Sequence, residues 1–181
     1  MKLATTIIGC LCLAGGARGK RGGEFNVQYL SLAEDGSVGQ VACENTGEVI
    51  CSTAILAGDF EGTAKVRFTQ FDLNPFTGLG AYSGEIDLCV DGVLNGGKQN
   101  LLRKAGCTTG TLSNGSLAFA GLTSDGQPVF AVRSEVSTSG GDGYFKKLEC
   151  DIVNTGSIDP SRAPYGEVLD MAITCTFNPK I

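Results

Sequence analysis

The residues that decide the fold are FEGTAKVRFTQFDL at positions 60–73, NPFTG at 74–78 and LGAYSGEIDLCV at 79–90. In the two longer segments apolar side chains alternate with polar ones, which is the period of a half-buried β-strand. The five residues between them favour a turn, because asparagine, proline and glycine adopt turn geometries readily. The sequence therefore predicts a β-hairpin.

The register of this hairpin follows from its charges. Antiparallel pairing of Leu73 with Leu79 places opposite charges across from one another on one face and apolar side chains across from one another on the other. That arrangement suits a sheet with one face against a core and one face in water. The predicted cross-strand pairs are Arg67 with Glu85, Lys65 with Asp87 and Val66 with Ile86.

Glycine punctuates the rest of the chain and accounts for 27 of the 181 residues. Many of these glycines follow aspartate or asparagine, and such steps favour the tight turns with positive φ that join strands into hairpins. We therefore expect turns at most of these steps. They are Asp35-Gly36, Asp91-Gly92, Asn95-Gly96, Asn114-Gly115, Asp125-Gly126 and Asp142-Gly143.

Seven further segments are rich in the β-branched and aromatic residues that are typical of strands. No long segment repeats apolar residues at helical spacing. Roughly nine strands joined by short turns predict an all-β fold, an antiparallel β-sandwich or β-barrel stabilised by disulfides. The additional strands are predicted at positions 25–32, 38–43, 48–53, 116–122, 128–137, 144–152 and 168–177.

The N-terminus has the pattern of a secretory signal peptide. Positions 1–17 read MKLATTIIGCLCLAGGA, a lysine and then an uncharged run that ends in small residues and is too short to span a bilayer. Cleavage after residue 17 or after residue 19 fits, and positions 7–10 resemble a lipoprotein cleavage motif. We expect a signal peptide at 1–17, a basic, glycine-rich linker at 18–24 and a single all-β domain at 25–181.

The cysteines support an oxidising compartment. Of the eight cysteines, Cys10 and Cys12 lie in the predicted signal peptide, which leaves an even set of six. In an exported domain such a set implies disulfides, and no C-x-x-C pair offers the spacing of a metal site. Strand parity and loop length predict three bridges: Cys43 with Cys51, Cys89 with Cys107, and Cys150 with Cys175.

The composition excludes several kinds of function. The chain has no histidine, which removes Ser-His-Asp and Cys-His catalysis and histidine-ligated metals. A net charge of -5 argues against nucleic-acid binding, which needs a basic face. Positions 92–98 have the spacing of a phosphate-binding loop, but Gln99 follows where a hydroxyl side chain is needed. We therefore expect no cofactor, no metal and no nucleic-acid partner.

Glu85 and Asp87 are the clearest pair of carboxylates, two residues apart on one strand face and about 6–7 Å from each other. The predicted register gives each a cationic neighbour, which would hold both ionised and leave neither as an acid. A solvated face of ion pairs is the better interpretation, so no catalytic residue is assigned.

Four residues remain as candidate surface sites. Asn114 begins the sequence Asn-Gly-Ser, a glycan acceptor in a eukaryotic secretory pathway. Tyr82, Phe145 and Tyr165 are predicted as exposed aromatic side chains that together form a platform for a ligand.

These patterns favour a secreted, non-catalytic binding or interaction module whose partner is an unknown extracellular ligand or protein, with a monomer as the working expectation. One alternative is a carboxylate-dependent enzyme, a hydrolase or a barrel cyclase, which requires a deep pocket with an inward-facing acid that lacks a cationic partner. Another is a structural component of a cell surface or extracellular matrix.

Overall fold

The structure, a computed structural model, describes residues 22–34, 37–38, 40–93, 105–162 and 164–180. Within these ranges the chain is almost entirely strand, with one turn of 3-10 helix, and no helix in them is long and apolar enough to cross a membrane. The elements are β1 (Gly23–Glu34), β2 (Ser37–Val38), β3 (Gln40–Val41), β4 (Ile50–Gly58), β5 (Phe60–Asn74), β6 (Leu79–Val93), β7 (Gly106–Leu122), β8 (Pro128–Ser139), the 3-10 helix (Gly143–Phe145), β9 (Leu148–Ile158) and β10 (Tyr165–Phe177).

Eight of the strands close into an antiparallel barrel. From β4 to β10 each strand pairs with the next along the chain, and β1 pairs with both β10 and β4 to complete the ring. The short strands β2 and β3 pair only with β1 and β4. The all-β prediction is confirmed, and the barrel rather than the sandwich forms. Closure leaves no open edge in the ring.

The hairpin of β5 and β6 reaches its predicted charge pairing through a β-bulge. At the turn the pairing differs by one residue from the prediction, because Leu73 faces Gly80 and not Leu79. A bulge between Phe68 and Gln70 absorbs the difference. Beyond it the predicted cross-strand pairs form: Arg67 with Glu85, Lys65 with Asp87 and Val66 with Ile86.

β7 departs most from the prediction. The sequence predicts a turn at Asn114-Gly115 before a strand at 116–122, but β7 runs through this step from Gly106. Asn114 adopts a left-handed φ of 51°, and the register shifts against both neighbouring strands, so the step forms a bulge inside a long strand. The residue after Asn114 must be glycine, because a Cβ at Gly115 would lie 2.3 Å from the carbonyl oxygen of Tyr82.

Other element boundaries also differ. Asp91-Gly92 lies within β6 and makes no turn, whereas Asp125-Gly126 lies in the β7–β8 hairpin turn as predicted. The predicted strand at 144–152 begins only at Leu148, because the 3-10 helix occupies the preceding residues. The predicted strand at 38–43 is reduced to β3 and part of β2.

The three predicted disulfides form. They are Cys43 with Cys51, Cys89 with Cys107, and Cys150 with Cys175. Cys150 and Cys175 lie opposite each other on β9 and β10, and both are buried inside the barrel. Cys89 and Cys107 lie on the outer face of β6 and β7, since the residues beside them, Leu88 and Thr108, are buried.

One end of the barrel is closed by four aromatic residues, which we call the aromatic plug. Phe25 and Phe60 have ring centroids 4.5 Å apart, and Tyr144 and Phe145 from the β8–β9 connection lie edge-on to Phe60. The space left beneath the plug is about 10 Å³. This end of the barrel is therefore filled by side chains, as is usual for eight-stranded barrels without a ligand cavity.

Candidate ligand-binding cavity

The other half of the barrel encloses a cavity of about 360 Å³. Gln127 and Pro128 border it where β7 turns into β8, and Pro160 borders it in the loop between β9 and β10. These loops belong to the barrel end opposite the aromatic plug. The strand pattern that fills one end of the barrel therefore leaves the other end hollow.

Most of the cavity wall is apolar. Aliphatic side chains from seven strands line it: Ile50, Val66, Ile86, Leu112, Leu117, Val132, Ile158 and Leu169. Phe68, Phe71 and Tyr82 add an aromatic cluster in which the Tyr82 ring centroid lies 5.3 Å from that of Phe68 and 6.5 Å from that of Phe71. A cavity of this size and lining is typical of small-molecule sites.

Glu167 is the one carboxylate among the described residues that line the cavity. It lies near the start of β10, between Ser31 of β1 and Ile158 of β9. In the part of the chain that the structure describes, no lysine or arginine forms an ion pair with it. Glu167 is half-buried, and the loss of hydration alone raises its pKa to about 7, because the charged form gains no partner in exchange.

Two tyrosines of the cavity wall, Tyr29 and Tyr82, lie close enough to Glu167 for its negative charge to affect their pKa values. Tyr29 shares a hydrogen bond of 3.1 Å with the Ser52 hydroxyl, and Tyr82 donates one of 3.1 Å to the carbonyl oxygen of Arg133. Burial raises the pKa of Tyr29 strongly and that of Tyr82 to about 12, and the charge of Glu167 contributes to both shifts. Both phenols therefore stay protonated at physiological pH.

Asn154 and Ser134 form a second polar point deeper in the wall. The Asn154 side-chain nitrogen donates to the Ser134 hydroxyl at 3.1 Å, and both residues are almost fully buried. The Asn154 Oδ1 atom is also buried but has no hydrogen-bond partner among the described residues. A buried acceptor without a donor is unusual in a folded protein and is costly unless a bound molecule or water supplies the donor.

The predicted aromatic platform does not form. Tyr82 and Phe145 are only 6% and 2% exposed, and they lie in opposite halves of the barrel, Tyr82 in the cavity wall and Phe145 in the aromatic plug. Tyr165 is half-buried at the start of β10. The predicted exposure is wrong for Tyr82 and Phe145, because Tyr82 occupies an inward-facing position of β6 and the Phe145 ring packs edge-on against Phe60.

Asn114 is exposed in the bulge of β7, and its Nδ2 donates to Glu135 at 2.8 Å.

Most of the phosphate-loop pattern at 92–98 lies outside the described residues.

The acids that the sequence singles out lie on the outer surface. Arg67 forms ion pairs with both Asp87 and Glu85, the latter at 3.2 Å, while Lys65 pairs with Glu44 at 2.9 Å. The Arg67 hydrogen bonds hold the pKa of Asp87 below its ordinary value. The prediction of ion pairs on this face is confirmed, although Arg67 partners both carboxylates and Lys65 pairs with Glu44.

The sequence pattern does not single out Glu167, because the predicted last strand begins one residue later, at Val168. In the structure β10 begins three residues earlier, and Glu167 is then in phase with Leu169 and Met171, which are buried. Inward-facing residues of this strand recur every second position, and continuing that alternation back from Leu169 by two residues reaches Glu167. That pattern would have identified Glu167 from the sequence.

No model of a protein family, no curated protein and no solved structure matches this chain. The function is therefore argued from the barrel and its cavity.

Proposed function

We propose that the protein is an exported, disulfide-stabilised β-barrel that binds a small, mainly apolar molecule in its cavity and acts as a non-catalytic binding module. The observation that supports this proposal best is the cavity itself, about 360 Å³ with apolar walls and a few polar groups. Such a lining gives affinity through burial of apolar surface, and the few polar groups set orientation.

Export is supported by the N-terminal segment that precedes the barrel and by the disulfides of the barrel domain. Positions 1–17 have the order of a signal peptide, and the residues that follow have the composition of a basic, glycine-rich linker. The domain begins two residues before the predicted boundary at 25, since Gly23 and Glu24 already pair with β10. Three disulfides suit an oxidising compartment. Asn114 is exposed, as a glycan acceptor must be.

The test is binding of N-phenyl-1-naphthylamine, an uncharged apolar probe whose fluorescence rises in an apolar site. Val132→Phe fills the cavity from β8, whereas Val153→Phe makes the same change on the exposed outer face of β9. We expect saturable binding by the wild-type protein and by Val153→Phe, and an affinity about tenfold lower or worse for Val132→Phe.

Circular dichroism checks that each variant is folded, and Leu117→Phe replaces Val132→Phe if that variant is not. The absence of saturable binding by the wild-type protein, or equal affinity in a folded cavity-filled variant, would contradict the proposal.

A second candidate is a carboxylate-dependent enzyme, and Glu167 favours it. This is the inward-facing acid without a cationic partner that the alternative requires, and its pKa of about 7 suits an acid–base group. Among the described lining residues there is no second carboxylate, so the two-acid arrangement of glycoside hydrolases has no support here. Of the enzyme types considered, one that transfers a proton with a single carboxylate, as a cyclase or isomerase does, agrees with this lining.

Base-catalysed opening of 5-nitrobenzisoxazole tests this candidate. In that reaction a carboxylate takes the ring C–H proton, the N–O bond breaks, and a phenolate with a nitrile is released. A rate that rises with pH to a midpoint near 7 and is lost in Glu167→Gln would support catalysis. A rate that is the same in wild-type and Glu167→Gln protein would count against it.

A further inference from the structure

We infer that the molecule held in the cavity is an amine whose ammonium group is bound by Glu167 while its apolar part fills the barrel. This inference rests on the proposed binding function and narrows it to one ligand class. It follows from what the described lining residues offer a ligand: hydrogen-bond acceptors without donors, aromatic faces, and no lysine or arginine side chain.

The polar groups of the cavity that lack partners are acceptors. The Glu167 carboxylate has no ion pair with any described lysine or arginine, and Asn154 Oδ1 is buried without a hydrogen bond in the described structure. A ligand that stabilises these groups must therefore bring donors. An ammonium group brings three donors and the charge that a carboxylate favours most.

The aromatic cluster on β5 and β6, elsewhere in the cavity wall, also suits a cation. Phe68, Phe71 and Tyr82 have ring centroids within 6.5 Å of one another and form part of the cavity wall. The electron-rich faces of such rings attract ammonium groups, more strongly where water is excluded.

The same features disfavour an anionic ligand such as a fatty acid. The described lining residues include no lysine or arginine, so a ligand carboxylate would meet Glu167 without any compensating charge. The titratable groups that share the cavity with Glu167 are the phenols of Tyr29 on the adjacent strand β1 and of Tyr82 on β6 across the barrel, both neutral at physiological pH. From β8 and β9 the facing residues are uncharged: Phe130, Ser134, Asn154 and Ile158.

Charge pairing makes the binding depend on pH in a defined direction. An ammonium group favours the ionised form of Glu167, so the carboxyl must lose its proton when the amine binds. An alkyl amine stays protonated up to about pH 10, like a lysine side chain. Affinity for the amine should therefore rise with pH until Glu167 is fully ionised and then level off.

The experiment compares three ligands of equal chain length, n-octylamine, 1-octanol and octanoate, as competitors of N-phenyl-1-naphthylamine at about pH 8. We expect octylamine to bind about tenfold or more tightly than octanol, and octanoate to bind more weakly than octanol. In Glu167→Gln the ratio of amine to alcohol affinity should fall to near one. Asp170→Asn, which removes an exposed acid from the outer face of the same strand, should keep the wild-type ratio.

The outcomes separate this inference from the proposed function. Probe binding with no preference for the amine, with a preference for octanoate, or with an amine preference unchanged in Glu167→Gln would overturn the inference and leave the binding function standing. No probe binding to the wild-type protein would overturn both. A preference for the amine that disappears in Glu167→Gln and at about pH 5 would support both.

Discussion

The two ends of the barrel are built from the same alternating strands but differ in what their inward positions carry. At the closed end Phe25 and Phe60 pack with Tyr144 and Phe145, and about 10 Å³ of space is left beneath them. At the open end the inward positions include Glu167, and about 360 Å³ remains empty. The closed end can only stabilise the fold, whereas the open end has room and chemistry for a ligand.

This difference shows how a small barrel divides its tasks. Aromatic packing and buried aliphatic side chains contribute stability, while buried polar groups without partners reduce it. Each half of the barrel holds one buried side-chain oxygen without a hydrogen bond among the described residues, Thr138 Oγ1 beneath the aromatic plug and Asn154 Oδ1 in the cavity wall, but only the cavity wall adds a carboxylate, that of Glu167. Sites that break the rules of a stable core are commonly sites of function.

Truncation of one ring at each end should produce the largest contrast. Phe60→Ala should reduce the free energy of unfolding by about 3–5 kcal/mol, because Phe60 is 1% exposed and fully surrounded. Phe68→Ala should reduce it by only about 1–2 kcal/mol, because part of its ring already faces the empty cavity. Urea unfolding measures both values. Equal losses would mean that the two ends are packed alike.

Removal of one disulfide from each half of the barrel should give the next largest effect, since Cys150 borders the space beneath the aromatic plug and Cys51 lies between the cavity-lining residues Ile50 and Ser52. The bridge between Cys150 and Cys175 spans 25 residues, and that between Cys43 and Cys51 spans 8. Loop entropy predicts losses of about 3.5 and about 2.5 kcal/mol when each pair is replaced by alanine. Urea unfolding of the two double variants tests this order. A greater loss from the shorter loop would show that strand packing, not loop length, decides the value of each bridge.

Glu167→Gln should stabilise the protein in alkaline solution. The folded state binds the Glu167 proton more tightly than the unfolded chain, because the pKa is raised from 4.5 to about 7. Stability is therefore lost as the pH rises through this window, by up to about 3 kcal/mol at about 1.4 kcal/mol per pKa unit. The variant should gain that amount at about pH 8 and nothing at about pH 4. Asp170→Asn is the matched control, and a destabilised Glu167→Gln at alkaline pH would contradict the absence of a partner.

Asp87→Asn on the outer face should show the smallest effect and the opposite sign. Its pKa is lowered by the Arg67 hydrogen bond, so the stability it contributes is present at neutral pH and is lost in acid as the carboxyl protonates. Its side chain is 34% exposed, so we expect a loss of only about 0.5–1 kcal/mol at neutral pH after solvent screening. Thermal unfolding at neutral and acidic pH measures the difference. A loss that stays constant in acid would mean that the ion pair is not its source.

Local patterns in the sequence predicted the parts of the fold that depend on neighbouring residues. Alternation and charge gave the pairing of Arg67 with Glu85, and parity gave the bridge between Cys150 and Cys175. Closure of the barrel depends on the pairing of β1 with both β4 and β10. This pairing joins residues far apart in the sequence, and strand propensity carries no information about it. The bulge at Asn114-Gly115 uses the same residues as a hairpin turn, so composition alone could not distinguish the two.

The candidate site was harder to predict for a related reason. A cavity is the volume that side chains leave unfilled, and it exists only once the ring has closed. Glu167 stands at the edge of a strand in sequence, where a polar residue is ordinary. It becomes unusual only because Ser31 and Ile158 flank it inside the barrel.

Titration of the Glu167 side-chain carboxyl by carbon-13 NMR shows whether the open end of the barrel holds a carboxylate without a cationic partner. With Glu167→Gln used to assign the signal, we expect a midpoint near 7 in the free protein and a lower midpoint when octylamine is bound. A midpoint at the ordinary value of 4.5 or below in the free protein would contradict this expectation, because the carboxylate would then be solvated or already paired.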